Sequence, residues 1–487
     1  MSSFIRESTK EFRLICALIL YSVLLLDPKE ASAFSAADSL YNSKLPDHCN
    51  SKAFGITRKS NKWILELSER SYTSSLVLKD FKGRISDSDV VELINSSPAG
   101  TEIIGSADIS LDLNGTPLVL KPGTSIIGNG MQLTSSRILN RFIRNDGVNG
   151  KHVISGLKIN SMGNDSYAVI ALSEVNGVVI EKNTISQSGK SAIVVSSSGE
   201  HASKNIVIRG NHIHSPSSGV GHLILVKSLP HGKLVECVAV LSNRVVGADA
   251  VIDELRDYTP DNNFTGDQIV LQGVDGFVVS GNYSAWSGSS GFTVSRLSKN
   301  GVIDGNVAEM CFEPGFNLGS GFEEIKIDAS SLKIGDILTN GSAELKISAF
   351  SEAKEENAIL VRGQVSKDVF KKGDFVYLAN NAMPKRVRYK VLEVTRSLQN
   401  TLVASNTANS VAIQRKKGKT LAAYNTIRAA GMYFLSNLWL DSYGVGRADK
   451  YISLSASIGT VFKGDIKKYG RAKFQIAGPS AKLISAQ

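Results

Sequence analysis

The chain is poor in the residues that staple small domains or build metal centres. Of four cysteines in 487 residues, Cys16 lies in the N-terminal apolar run, and the other three, Cys49, Cys237 and Cys311, are odd in number and too widely spaced for a complete disulfide framework. Their spacing matches no zinc pattern either, and Cys237 and Cys311 read as small buried residues of separate repeats. Proline numbers only 11 against 43 glycines, which excludes a proline-rich disordered chain and suits a turn-rich β protein. The apolar run Leu14–Leu26 falls short of the roughly 20 residues that cross a bilayer as a helix. No Lys/Arg run dominates, and no basic, aromatic-interleaved motif appears, so nucleic acid is not an expected partner.

The beginning of the chain has the order of a secretion signal. Arg6, Lys10 and Arg13 precede the apolar run, and Ala31-Ser32-Ala33 supplies a small-x-small cleavage site. Export follows as the expectation, to the periplasm or outside the cell. No stable membrane span would remain after removal; an uncleaved anchor is the alternative. Residues 1–33 hold four basic and four acidic side chains, so the net charge of +10 survives their loss. A basic exported protein attracts polyanions, among them acidic polysaccharide.

Between Gly150 and Ala308 one phrase is written six times: GKHVISGLKI, NGVVIEKNTI, KNIVIRGNHI, ECVAVLSNRV, DGFVVSGNYS and KNGVIDGNVA. Aligned on Leu157, Asn183, Asn211, Asn243, Asn282 and Asn306, the copies place Ile154, Ile180, Ile208, Val240, Val279 and Ile303 three residues earlier. Two residues after the anchors come Ile159, Ile185, Ile213, Val245, Ser284 and Ala308. A seventh copy, KTLAAYNTI with Asn425, follows much later. The apolar residues are mostly Val and Ile, they alternate over short runs, and they break at Asn or Gly, which is strand pattern with turn punctuation. Anchor intervals of 26, 28, 32, 39 and 24 residues describe constant strands joined by elastic loops. Asn tolerates left-handed backbone at a tight turn, and its amide can bond to the same amide one coil away. The pattern predicts an all-β fold, a right-handed parallel β-helix (solenoid).

The phrases EKNTI, RGNHI, SGNYS and DGNVA resemble the turns of the pectin-lyase-like superfamily, which includes pectate lyases, polygalacturonases, alginate epimerases and phage tailspikes. The resemblance covers residues 76–322 and 415–450. It implies that residues 34–140 form a linker and N-terminal cap and that 141–323 are coils. The cap includes a short helix begun by a capping box at Asp89 and Glu92, with Val90, Val91 and Ile94 as its buried side. Two related stretches, EEIKIDASSLKIGDILT and ILVRGQVSKDVFKKGDFVYL, each carry a Lys-x-Gly-Asp turn between strands. They predict a small β-barrel or β-sandwich inserted at 324–410, with Asp336 and Asp374 as turn formers. Final coils are expected at 411–450 and an end cap at 451–487.

In the resembled family the active groove runs along one sheet and its flanking loops. Here the corresponding strands are SAIVVSS, GHLILVK, GDQIVLQ, SGFTVSR, PGFNLGS and AGMYFLS. Strand alternation would turn Phe292 and Val294 inward and expose Thr293, Ser295, Gln268, Gln272 and Asn317. The longest interval, ADAVIDELRDYTPDNNFTGDQ, gathers acidic residues with Arg256, and long loops in compact repeats are often functional. Arg256, Asp257, Asp267, His222, Arg296 and Glu313 are the candidate catalytic residues. Gln268, Gln272, Tyr258, Asn317 and Trp286 are the candidate substrate contacts, and Asp253 and Glu254 the candidate Ca²⁺ ligands. An Arg paired with a uronate carboxylate would acidify the neighbouring C–H bond for β-elimination. His212 and His214 have metal-like spacing, but the other copies vary at the first of these positions, as an exposed site does.

The motifs of polygalacturonases, alginate epimerases and classical pectate lyases are absent. The expectation is therefore a secreted protein acting on an acidic polysaccharide, first as a lyase. A hydrolase or epimerase of the same fold and a non-catalytic binding scaffold are its rivals.

Overall fold

The computed structural model of the chain describes residue 49, residues 54–59 and 62–67, and residues 71–309 apart from 149, 162–166, 188–189, 216–220, 230–231, 248–265, 286 and 288–289. Beyond these it describes 316–318, 322–328, 332–342, 344–352, 358–365, 370, 372–379, 389–396, 402–404, 407–416, 419–425, 452–455, 461–463, 474–477 and 482–484. The expected export segment, 1–33, lies outside the described residues.

The chain winds as a parallel β-helix with three long sheets of 12, 10 and 10 strands. Each coil gives one strand to each sheet in turn. One coil runs through Asn176–Glu181, Thr184–Gln187 and Ile193–Ser197, and the next begins at Lys204–Arg209. The column three residues before the anchors, from Ile154 to Ile303, is in parallel register from coil to coil and fully buried. Its β-branched side chains stack at the roughly 4.8 Å spacing of adjacent strands, so each coil buries its apolar row only because the next one covers it. Where the column beside it reaches Gly301, the Phe277 ring fills the space that a side chain on that glycine would need.

At the corner between the first and second sheets, the left-handed residue is not the Asn but the one before it. Lys182, Gly210, Ser242, Gly281 and Gly305 have φ of 55°, 60°, 53°, 64° and 63°. That leaves each Asn side chain free to stack. Asn183 donates Nδ2–H to Ile154 O (2.9 Å) and to Asn211 Oδ1 (3.0 Å), and its backbone N–H reaches the same oxygen (3.1 Å). The pattern repeats from Asn211 to Asn243, to Asn282 and to Asn306. The five buried amides thus satisfy one another and the turn. The seventh copy, which includes Asn425, does not stack as a further parallel coil. Its strand, Lys419–Asn425, pairs antiparallel with Thr407–Lys416 through Ser410, so the seventh copy is one arm of a hairpin.

A second left-handed column runs through the first sheet at Gly177, Asn205, Cys237, Gly276 and Asn300, with φ of 88°, 55°, 57°, 77° and 54°. Four of these are residues that tolerate the conformation. Cys237 is the exception, and it is disulfide-bonded to Cys49. Cys237 is buried as expected, but as half of a disulfide rather than as a plain small residue of its coil. A partner 188 residues away leaves no spacing pattern to read.

The helix Asp87–Ser96 closes the N-terminal end and buries Val90, Val91 and Ile94. Its cap is Ser86 with Asp89, one turn earlier than the expected Asp89–Glu92 pair. Two helix side chains serve the bare edges of the first coil. Asp87 accepts from Asp112 N–H (2.9 Å), while Asn95 donates to Pro117 O (2.9 Å) and accepts from Val119 N–H (2.8 Å). A helix covering open strand edges removes the pairing template they would otherwise present.

The inserted module is a closed antiparallel barrel of six strands within Phe322–Arg396. The chain rejoins the first sheet at Leu402–Ala404. Its two Lys-x-Gly-Asp turns are equivalent. Gly335 and Gly373 have φ of 94° and 93° and donate to Ile347 O (2.9 Å) and Val391 O (2.8 Å). Asp336 O and Asp374 O accept the return bonds, both at 2.8 Å, so these residues are turn formers. Strands at 452–455, 461–463, 474–477 and 482–484 add further parallel rungs to the first and third sheets.

Candidate functional site

The outer face of the third sheet carries the strongest chemistry among the described residues. Its strands contain no Asp or Glu, while Arg141, Arg144 and Lys227 lie within them. Register aligns two outward columns. One runs Arg144, Ala171, Val194, Leu225, Val270, Thr293, and the other Ser173, Ser196, Lys227, Gln272, Ser295. Val194, Leu225 and Val270 form a small apolar cluster with Ala168, separate from the helix interior, and Tyr167 packs on it. Lys227 Nζ reaches the Tyr167 hydroxyl (3.4 Å) across the intervening coil, and the Arg141 guanidinium lies 5.8 Å from the Tyr167 ring centre. The strip itself is buried, at 0–6% exposure, so this face presents the half-buried Tyr167 ring and the cations around it, which together offer the flat surface and the charge that an acidic sugar needs.

Arg296 adds a fourth cation just beyond the strand Phe292–Ser295, on left-handed backbone with φ of 52°. It is exposed, but the surrounding protein partly desolvates it, and the like charge of Arg362 on the barrel acts in the same direction. Both effects lower its pKa from the ordinary guanidinium value, and a guanidinium remains a cation at neutral pH.

The described structure brings His222 and Asp267 together at the beginning of adjacent strands. His222 Nδ1 lies 3.2 Å from Asp267 O. A carbonyl only accepts, so the neutral ring carries its proton on Nδ1 and leaves Nε2 as the basic nitrogen. Asp267 Oδ1 accepts from Ser290 N–H (2.9 Å) and braces the turn in which Ser287 Oγ donates to Ser290 O (2.8 Å). Gln272 stands half-buried at the far end of its strand, five residues or ~16 Å from Asp267 at strand rise. His222 with Asp267, and Gln272 with Arg296, therefore mark opposite ends of the face.

Gln268 is not on the outer face. It is 2% exposed, its Nε2 donates to Ala285 O (2.6 Å), and its Oε1 accepts from Ser284 Oγ (2.5 Å). Ser284 is the polar residue in the otherwise apolar second anchor column, so two interior polar groups satisfy each other across the helix. Thr293 and Ser295 are also buried, at 5% and 4%, although they follow the outward columns. Asp253, Glu254, Arg256, Asp257, Tyr258, Trp286 and Glu313 lie outside the described residues, as does the side chain of Asn317, whose backbone pairs with Thr293. His212 and His214 are exposed on the second sheet. Among the described residues no group of three His, Cys, Asp or Glu could hold a metal ion.

Arg144, Tyr167 and Lys227 were not legible as a set. Tyr167 and Lys227 are 60 residues apart, and only coil register brings them together.

No protein-family model matches the chain, and no curated protein matches it. A solved structure of ORF18 from Geobacillus virus E2 is similar over 78% of this chain and 94% of its own, with 9% identity and a TM-score of 0.24, too low to bear on fold or function.

Proposed function

We propose that this protein is an exported, pectin-lyase-like β-helix that acts on an acidic polysaccharide as a lyase. The observation that carries the proposal is the third sheet, whose strands hold Arg141, Arg144 and Lys227 around Tyr167 and no Asp or Glu, with Glu174 just past one of them. An extended polyanion laid along the helix axis would meet a cation every few coils, with Tyr167 against a sugar face. His222 is the proposed base, because its Nδ1 bond to Asp267 O presents Nε2 for proton abstraction. In the reaction the base takes the proton from the carbon bearing the carboxylate. The released pair forms a carbon–carbon double bond as the glycosidic C–O bond breaks, and the leaving oxygen gains a proton. The Cys49–Cys237 disulfide supports export, since such bonds persist in oxidising compartments. The candidate Ca²⁺ ligands Asp253 and Glu254 lie outside the described residues.

A non-catalytic binding scaffold is the second reading. It is favoured by Asp267, whose carboxylate is engaged in a turn while its backbone O is what meets His222. The deciding measurement is incubation with polyuronates and glycosaminoglycans, followed by ultraviolet absorbance and reducing-end assay. A lyase gives both signals, a hydrolase reducing ends alone, and a scaffold retains polymer without products. Absence of both binding and products across the panel would sink the proposal.

A further inference from the structure

We propose that the N-terminal hairpin Phe54–Lys59 and Lys62–Leu67 docks on the outer face of the first sheet, and that the Cys49–Cys237 disulfide is the latch that holds it there.

Three independent observations meet at this point. First, successive coils place Val179, Val207, Ala239, Val278 and Val302 in one column of the first sheet. Their neighbours on either side, such as Val178 and Ile180, point into the core, so by alternation this column faces outward. It is nonetheless only 0–3% exposed. An outward apolar stripe that meets no water is covered.

Second, the hairpin is two-faced by register. Phe54 pairs with Leu67, Ile56 with Leu65 and Arg58 with Trp63, which puts five of these six positions on one apolar face. The opposite face takes Gly55, Glu66, Thr57, Ile64, Lys59 and Lys62. A lone two-stranded hairpin is marginal in water and gains stability by laying such a face on another sheet.

Third, Cys49 is fully buried and bonded to Cys237, which lies two residues before Ala239 of the stripe in the same strand. From Cys49 the five residues to Phe54 span up to ~17 Å. That is more than three coils at ~4.8 Å each, so the tether reaches most of the stripe. Cys237 also occupies a left-handed position that Gly or Asn holds in the four flanking coils.

Opening the latch needs a dithiol. Two electrons and two protons pass to the protein, giving the Cys49 and Cys237 thiols and the cyclic disulfide of the reductant. The released hairpin then exposes the valine stripe.

The test is hydrogen exchange with mass spectrometry on the full chain, oxidised and after dithiothreitol, with Cys49→Ser and Val207→Glu. In the oxidised protein the amides of 54–59 and 62–67 should exchange slowly. Reduction or Cys49→Ser should accelerate them at least tenfold while the Asn-ladder coils stay protected. Val207→Glu should do the same with the disulfide intact, and Ala239→Lys repeats that arm should Val207→Glu fail to fold. Fast hairpin exchange in the oxidised protein overturns the docking. Unchanged protection in Cys49→Ser overturns the latch. Protection that follows protein concentration and ignores the reductant shows a second copy on the stripe and also overturns the proposal.

Discussion

Two corners of the same helix obey opposite rules. Between the first and second sheets, in the six coils from His152–Ser155 to Val307–Glu309, two residues separate the strands every time. Between the second and third sheets of these coils the gap is 6, 5, 9, 22, 6 and 6 residues. The constant corner holds the Asn ladder, whose amides must lie one strand spacing apart to bond. The elastic corner leads to the outer face with His222, Asp267 and the cations. Each extra residue there costs little loop entropy, which grows only as the logarithm of length. Where stacking demands fixed geometry the chain repeats itself, and where it does not the chain has room for chemistry.

The largest effect that would break this comparison is functional. His222→Ala at the elastic corner should lower lyase turnover by ~100-fold or more, the scale of a lost general base, with little change in thermal midpoint. Unaltered turnover would remove His222 from the chemistry. At the constant corner the effect should be on stability alone. Asn211→Leu strands Ile180 O and the Asn183 donors in the interior and should cost ~2–4 kcal/mol by denaturant titration. A ladder that loses under ~0.5 kcal/mol would mean that water replaces the missing amide.

Gln268 sharpens the same contrast, because it sits at the edge of the elastic corner yet points inward. Gln268→Leu should cost ~1–3 kcal/mol by removing the donor to Ala285 O and the nearer partner of Ser284 Oγ, which keeps only Gly291 O at 3.3 Å, and Ser284→Val added to it should recover part of that loss. Additive losses in the double variant would show that the two side chains do not depend on each other. Lys227→Ala should weaken polyuronate binding by roughly 3- to 10-fold and flatten its salt dependence, as expected for a half-exposed cation. Isothermal titration at two salt concentrations reads both.

The smallest effect is a pH dependence at the N-terminal cap. Hydrogen bonds from the Ser86 side chain and then its backbone N–H hold Asp89 below the usual 3.8. A carboxyl depressed in the folded state stabilises above its unfolded pKa and loses that contribution as pH falls through the folded value. Amide protection of the helix Asp87–Ser96 should therefore decline below about pH 4. The Asn corner, whose ladder has no group that titrates there, should not change. Equal loss in both regions would point to global acid unfolding, and Asp89→Asn should abolish the local effect.

The repeat was readable because its physics is local and periodic. Ile180, Ile208 and Val240 recur at fixed positions relative to an Asn, and alternation alone assigns them to the interior. Gln268 was misread for the same reason. Alternation counted from Ile269 turned it outward, but at the beginning of the strand the chain is still rounding the corner, and the helix interior also takes that position. Ser284, the polar break in an apolar column, was the signal that an interior partner existed. The Tyr167–Lys227 contact and the Cys49–Cys237 bond had no such signal, since their spacings of 60 and 188 residues repeat nowhere.

The sequence by itself determined the stack: β-branched columns at even spacing, an Asn at each tight turn, and elastic intervals between coils. These follow from interactions within a coil and with its immediate neighbours, which recur often enough to be seen. Only the tertiary structure decided which residue of each turn is left-handed, that Cys237 is bonded, that the insert closes as a barrel, and that cations without carboxylates share the third sheet. Each depends on how far coils rotate and which distant side chains that rotation brings into register. No local pattern encodes that rotation, because it is set by the summed lengths of loops whose sequences are free to differ.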